Sequence, residues 1–154
     1  IAAIVKGVQT SLAKQTKSMG KSVTLEGVDG VLEIPGHEDE LIQVIQNLLE
    51  NALKYSKPKT EVNITLSKET GVAGMPGKVV AVRISDMGEG IAKQHLSRLT
   101  ERFYRVDSHR SRSDGGTGLG LAIVKHIVQH HRGRLKIESK VGQGSTFTVL
   151  LPAD

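Results

Sequence analysis

Asn47-Leu48-Leu49-Glu50-Asn51-Ala52-Leu53-Lys54-Tyr55 is the stretch whose reading decides the fold. It sits in a helical pattern running from about Glu38 to Ser56 and ended before Pro58. At about 100° per residue, Asn47, Glu50, Asn51 and Lys54 fall within roughly a third of the circumference. Leu41, Ile45, Leu48, Leu49, Ala52 and Leu53 take much of the remainder. A helix that buries most of its girth must still find partners for a stripe of two amides, an acid and a cation. Amide oxygens suit Mg²⁺, a hard cation whose shell phosphates and water complete, and Lys54 suits a phosphate. Taken alone, the stripe has a solvated face as its lesser alternative.

Two further segments follow in order. Val79, Val80, Val82 and Ile84 predict a strand that ends at Asp86, ahead of Met87-Gly88-Glu89-Gly90-Ile91. A carboxylate only accepts hydrogen bonds, so it reads the exocyclic amino group of adenine and not the carbonyl of guanine. The glycines would let backbone approach a flat base, although strand-Asp-Gly is also an ordinary turn. Gly116-Thr117-Gly118-Leu119-Gly120-Leu121 precedes an apolar helix containing Ile123, Val124, Ile127 and Val128. Free amides at a helix start, unhindered by Cβ atoms, make an anion site for phosphates. The segment has no Gly-Lys-Ser/Thr ending, as a Walker A loop would, and a charged loop rather than a strand comes before it. A flexible hinge is its bland alternative. Together the three segments supply the parts that hold a metal-bound nucleotide, and the shared reading is ATP.

The rest of the chain frames that reading. A length of 154 residues suits one domain, and 38% hydrophobic with 24% charged content suits a soluble globular one. Absent cysteine excludes disulfides and thiolate metal sites and agrees with a reducing cytoplasm. No apolar run approaches the ~20 residues of a membrane helix, and no signal peptide is found. The formal charge of +5 raises the question of nucleic acid. The cations are scattered, however, and the dense cluster of Arg102, Arg105, Arg110 and Arg112 leads into the glycine turn, where phosphate explains it more simply. The chain opens inside an apolar-periodic stretch without an initiator Met, as expected of a piece cut from something longer.

Around the three segments the pattern alternates. A helix is expected from about Ile1 to Lys17, then a hairpin-like pair of strands at Ser22–Glu26 and Val31–Ile34. Strands are predicted at Glu61–Leu66 and Val79–Ser85, with a turn from Gly71 to Gly77 and a short helix near Ala92–Leu99. Residues from Phe103 to Gly116 read as a long mobile loop, of a length that is usually functional. A helix from about Gly118 to His131, capped by Gly133, leads to a closing hairpin of Arg134–Ser139 and Ser145–Leu150.

These residues carry a resemblance. The chain is similar to the catalytic ATP-binding domain of sensor histidine kinases, in the superfamily shared with gyrase, heat-shock protein 90 and MutL. Asn47 to Tyr55 resembles the N box, Asp86 to Ile91 the G1 box and Gly116 to Leu121 the G2 box. Arg102 to Asp107 resembles the F box, and Gly142-Gln143-Gly144-Ser145-Thr146-Phe147 the closing motif. The stretch from Arg102 to His131 most resembles phosphate-regulon sensor kinases. The resemblance implies an α/β fold: a two-layer sandwich of the Bergerat type, with a mixed sheet of about five strands covered by three helices. It implies one domain over residues 1–154, with a lid at about 103–117. ATP and Mg²⁺ would lie between the N-box helix and the lid. Asn47 and Asn51 would hold the metal, Lys54 a phosphate, Tyr55 the base or ribose side and Asp86 the adenine amino group. Gly88, Gly90, Ile91 and Tyr104 would line the site, Arg105 would reach the terminal phosphates, and Gly116 to Leu121 would receive the phosphate chain. Thr146 would support the adenine site through water. Glu50 and Arg105 are the catalytic candidates, Glu50 by polarising an acceptor histidine.

The acceptor itself is not in this chain. His37-Glu38 imitates a phosphoacceptor motif, but no Arg-Thr-Pro follows, and Leu41 already belongs to the N-box helix. His126, His130 and His131 have partial metal-ligand spacing and read rather as a helix-end cluster favoured by the macrodipole. The resemblance therefore implies a cytoplasmic kinase domain that donates the γ-phosphoryl of ATP to a histidine on a separate dimerisation domain of the same kinase, but does not autophosphorylate alone. The phosphoacceptor and sensor regions are expected before Ile1, the full protein as a homodimer anchored in the inner membrane, this piece as a monomer, and the response regulator as an indirect partner. Two alternatives stand beside it: a nucleotide-binding regulatory pseudokinase module, and an ATP-hydrolysing switch of the gyrase or MutL kind. The second would need a Glu base where this chain has Asn47, and an amide takes no proton from water.

Overall fold

The structure is a computed structural model, and it describes residues 1–27, 30, 33–104 and 119–153. The described elements are helices α1 (Ala2–Ser11) and α2 (Ala13–Ser18), strand β1 (Ser22–Glu26), helix α3 (Glu38–Tyr55), strands β2 (Glu61–Glu69) and β3 (Val79–Asp86), helices α4 (Lys93–Leu96) and α5 (Gly120–His130), and strands β4 (Arg134–Lys140) and β5 (Gly144–Pro152). The strands form one mixed sheet in the order β1-β2-β3-β5-β4, with β1 parallel to β2 and every other pair antiparallel.

Side-chain alternation decides which sheet face is buried. Val80, Val82 and Ile84 of β3 and Phe147, Val149 and Leu151 of β5 pack against Leu41, Ile45, Leu48, Leu49 and Leu53 of α3. Val5 and Val8 of α1 and Val124, Ile127 and Val128 of α5 complete that core, so three longer helices cover one face. Asp86 continues the helix-facing series of β3 by the two-residue period. Val79, Ala81 and Leu150 point the other way and pack under Met75 and Val72, which a short bridge holds together.

α3 is helical because of that core. Each buried Leu contributes about 1.5–3 kcal/mol, whereas Asn costs at most about 0.7 kcal/mol against Ala in a helix. Burial therefore carries two amides that do nothing for the helix itself. Glu38, Asp39 and Glu40 in the first turn and Lys54 in the last complement the macrodipole.

Three sequence expectations need correction. Among the described residues Ser22–Glu26 pairs with β2 and not with a following hairpin strand, with α3 as the crossover between the parallel pair. Glu33 and Ile34 are not in a strand, Val31 and Leu32 lie outside the described residues, and Ile34 packs on the core instead. The first helix breaks at Leu12, whose ψ of 0° leaves the helical range. There the Thr10 hydroxyl donates to the Lys6 carbonyl at 2.9 Å, that of Ser11 to Val8 at 2.9 Å and that of Thr16 to Leu12 at 2.8 Å, bonds that bend helices. Gly133 closes α5 as expected, its N–H donating to the Val128 carbonyl at 2.8 Å, but the left-handed residue of that turn is Arg132 at φ +58°. Gly133 is also required by packing, since a Cβ there would lie 2.4 Å from the Leu150 carbonyl oxygen. The Phe103–Gly116 loop and the Gly118 start of the next helix lie largely outside the described residues.

Candidate nucleotide site

The end of β3 and the end of α3 meet. Ser56 bridges to Gly88, and the Lys57 N–H donates to the Met87 carbonyl at 3.1 Å. Gly88 makes the contact possible: a Cβ there would lie 2.5 Å from the Tyr55 carbonyl oxygen and 2.8 Å from Asp86 Oδ1. Gly90 takes φ +76° against the Lys140 carbonyl, and Ile91 N–H donates to Ser139 Oγ at 2.7 Å. The close approach these glycines permit is thus to protein, where the sequence pointed to a flat base.

Asp86 is only 9% exposed. Its Oδ1 accepts from the Gly88 N–H at 2.9 Å, and the Ser145 amide lies near enough to lower its pKa. Burial pushes the carboxyl above the ordinary aspartate range, and the two amides and the charge of Lys21 pull it back only in part. Lys21 reaches the same corner. Its ammonium donates to the Ser56 carbonyl at 2.9 Å and to that of Leu53, closing the C-terminal end of α3. Burial lowers its pKa, and Asp86 opposes that shift.

The expected stripe is present on α3. Asn47, Glu50, Asn51 and Lys54 are half-buried, and Tyr55 is exposed with the Lys54 ammonium 5.3 Å from its ring centre. Glu50 accepts from Gln46 Nε2 at 3.1 Å. Among the described residues no side-chain hydrogen bond engages Asn47 or Asn51, and no fully buried side-chain polar atom lacks a partner. Their amide oxygens are therefore accessible hard donors, one helical turn apart, which fits Mg²⁺ held partly by protein and partly by phosphate and water.

α5 packs against α3, and its start has two features suited to an anion. No side chain caps its first turn, and a Cβ at Gly120 would meet nothing within 4 Å. Packing therefore does not explain that glycine, whereas open access to backbone amides does. The two helices are locked together at His37 and His131, whose Nε2 accepts the His37 N–H at 3.0 Å. At 1.5 Å per residue, Gly120 lies roughly 16 Å from that lock along α5 and Asn47 about 15 Å along α3. Leu119 and Leu121 flank it, Leu121 against the core. Arg105, Gly116, Thr117 and Gly118 lie outside the described residues.

Two expected residues face elsewhere. The register pairs Asp86 with Ser145 and Ser85 with Thr146. Thr146 Oγ1 bonds Ser85 Oγ at 2.9 Å on the sheet face opposite Asp86, so Ser145 and not Thr146 shares the carboxylate's side. Ser139 Oγ donates to the Gly144 carbonyl at 2.9 Å, which leaves the Ser145 hydroxyl to donate to Ser139 at 2.8 Å. Tyr104 hydrogen-bonds His95 Nδ1 and packs 4.4 Å from the Arg98 guanidinium, so its described side-chain contacts are with α4 and the turn that follows it. Reading sequence overlooked Ser145 and Lys21. Counting back by two from core-facing Phe147 would have found Ser145, but nothing local marks Lys21, which acts across more than thirty residues. A separate cleft of about 500 Å³, lined by Leu96, Thr100, Lys125, Arg134 and Lys136 among others, contains none of the expected site residues.

The family model described as histidine kinase-, DNA gyrase B- and HSP90-like ATPase matches residues 36–154. The sensor-like histidine kinase SenX3 of Mycolicibacterium smegmatis is 43% identical over 131 residues, covering 85% of this chain and 32% of that protein. The phosphate regulon sensor protein PhoR of Pseudomonas aeruginosa is 43% identical over 136 residues, covering 87% and 29%. The chain thus spans about a third of the length of these curated relatives. Among solved structures, the mycobacterial sensor histidine kinase MprB superposes with a TM-score of 0.77 at 26% identity, covering 98% of this chain and 93% of that one. Full-length ShkA, solved in complex with AMPPNP, shares the fold with a TM-score of 0.81 at 24% identity, covering 99% and 30%. The chain belongs to the histidine kinase-, DNA gyrase B- and HSP90-like ATPase family, and its relatives there are sensor histidine kinases, a phosphate-regulon sensor among them.

Proposed function

We propose that this domain binds Mg²⁺-ATP and supplies its γ-phosphoryl group to a histidine on a separate dimerisation domain of a sensor kinase. The observation that carries the reading is Asp86: a buried carboxylate held by the Gly88 N–H, fixed where the end of the Asn-bearing helix meets the glycine turn. Such a group is costly to bury without a ligand to read. Adenine's amino group donates what the remaining carboxylate capacity accepts.

Asn47 and Asn51 would hold Mg²⁺, which neutralises charge on the phosphates. Lys54 adds a cation, the first-turn amides of α5 take phosphate oxygens, and Arg105 adds a further cation from the lid at about 103–117. In the transfer, the bond from the γ-phosphorus to the β–γ bridging oxygen breaks, a bond to the imidazole nitrogen forms, and ADP leaves. Glu50 would accept the hydrogen of the other ring nitrogen and so raise the nucleophilicity of the attacking one. The remaining work is positioning. With Asn47 where a hydrolase needs a carboxylate, attack by water lacks a base. The acceptor domain, a response regulator downstream, homodimerisation and membrane anchoring belong to the longer protein on this reading.

Calorimetric titration with non-hydrolysable ATP and GTP analogues, each with and without Mg²⁺, tests it. Adenine-selective binding strengthened by Mg²⁺ is the expected result; equal binding of both nucleotides would overturn the role of Asp86. Phosphorylation of the acceptor histidine from labelled ATP, in the full-length kinase, distinguishes a donor domain from a regulatory pseudokinase.

A further inference from the structure

The C-terminal end of α5 and the N-terminal end of α3 meet at the other end of α3 from Asp86, and three imidazoles and a carboxylate gather there. His131 is committed to the fold. Its Nδ1–H donates to the Ile127 carbonyl at 2.8 Å and its Nε2 accepts the His37 backbone N–H at 3.0 Å, so it is the neutral Nδ1–H tautomer with neither nitrogen open. Gly36 makes room for it, since a Cβ there would lie 2.4 Å from the ring. The other three groups are not so committed. His130 Nδ1 lies 3.2 Å from Glu40 Oε2, and both side chains reach solvent. The exposed His37 ring lies parallel to that of His130 within 9°, with centres 5.7 Å apart.

We propose that Glu40, His130 and His37 bind a borderline divalent cation of the Zn²⁺ class, with water completing the shell and His131 as the strut behind it. A tetrahedral ion with bonds of about 2.0–2.2 Å sets neighbouring donor atoms about 3.3–3.5 Å apart and the centres of two bound imidazoles about 5.2 Å apart. The Glu40–His130 separation of 3.2 Å already matches. The His37 ring stacks parallel to His130 and edge-on to His131, so its nitrogens do not point at the ion as they stand; His37 joins by turning its exposed side chain, on a backbone that His131 fixes, while His131, whose ligand atoms also lie near those of Glu40 and His130, has both nitrogens in use. A surface ion pair worth less than ~1 kcal/mol would account for Glu40 and His130 but not for the second imidazole stationed beside them. Imidazole donors select Zn²⁺ or Ni²⁺ over Mg²⁺. The site is therefore chemically distinct from one built on Asn47 and Asn51.

The test is calorimetric titration of the tag-free domain, without nucleotide, with Zn²⁺ and separately with Mg²⁺. One equivalent of Zn²⁺ is expected to bind and Mg²⁺ is expected not to compete. Glu40→Gln and His130→Ala should each weaken Zn²⁺ at least tenfold, while His126→Ala, on the same helix but outside the cluster, should leave it unchanged. Zn²⁺ should raise the thermal midpoint of the parent and not that of His130→Ala. Absence of stoichiometric Zn²⁺ binding overturns the proposal. So does binding that survives His130→Ala, or that falls equally in His126→Ala. Metal-free melting of the nearly isosteric Glu40→Gln variant shows that any loss of binding is not loss of fold.

Discussion

Replacing Asp86 by Asn separates what this residue does for the fold from what it does for a ligand. In the fold the carboxylate is a cost: it is 9% exposed, and burial outweighs the Gly88 and Ser145 amides and Lys21 in setting its proton affinity. Asn keeps an oxygen for the Gly88 N–H at 2.9 Å and removes the buried charge. At neutral pH the variant should therefore melt no lower than the parent. The ligand sees the reverse. An adenine amino group loses a charge-assisted acceptor worth about 1.5–3 kcal/mol, or roughly 10- to 150-fold in affinity, and meets an amide that donates. The pH dependence has a fixed sign. A folded pKa above the unfolded one means that the native state holds the extra proton, so the Asp86 contribution to stability is present below the ordinary aspartate range and is lost as pH rises through the raised value. Nucleotide affinity runs the other way, falling as pH drops through that raised value, because the ionised form is the stronger, charge-assisted acceptor. Calorimetry across pH, paired with melting curves, reads both. The reasoning fails if the variant binds ATP analogues as the parent does, or if the parent's affinity has no acid-side fall that the variant lacks.

Three further outcomes follow from the same geometry. Asn51→Ala should abolish most of the Mg²⁺-dependent gain in nucleotide affinity while leaving the melting temperature level or slightly raised, since Ala is the better helix former by up to about 0.7 kcal/mol; the paired measurements are titration with and without Mg²⁺ and a melt. Lys21→Met removes the donor to the Leu53 and Ser56 carbonyls and should cost about 1–2 kcal/mol in denaturant unfolding. It also withdraws the cation that holds Asp86 down, so the acid-side fall in nucleotide affinity should begin at higher pH. Arg132→Gly relieves a left-handed residue at φ +58° and should stabilise by about 1 kcal/mol, visible as a rise of about 2–4 °C in a melt.

What could be read in sequence was local and periodic. The apolar spacing of α3, the strand ending at Asp86 and the closing hairpin all follow from patterns within twenty residues, and the structure has them within one or two positions. The parallel pairing of β1 with β2 was not legible, because two short strands near one another look like a hairpin until the crossover helix is placed. The face taken by Thr146 was not legible for the opposite reason. The motif gives no parity, and only the register with β3 shows that Ser145 lies on the helix-facing side. Lys21 was invisible, since its partners Leu53 and Ser56 are brought to it by tertiary packing alone.

The placement of those long-range contacts explains how a row of half-exposed polar side chains can be held rigidly. α3 is fastened at its two ends and along its buried face, and at neither end by residues of its polar stripe. At the start, His131 ties the His37 amide to the end of α5. At the finish, Lys21 takes the last carbonyls, and Gly88 admits the glycine turn against Tyr55 and Ser56. Asn47 and Asn51 are thereby relieved of any structural duty, and Lys54 keeps only its complement to the helix dipole. A side chain that the fold does not need, on a helix that the fold fixes, can keep its donors and acceptors open for phosphate and metal without losing its position. The arrangement also orders the consequences of mutation. Changes in the stripe should move ligand affinity with little effect on melting, changes at Lys21 or His131 should move melting first, and Asp86, which belongs to both the turn and the site, is where the two responses should separate with opposite sign.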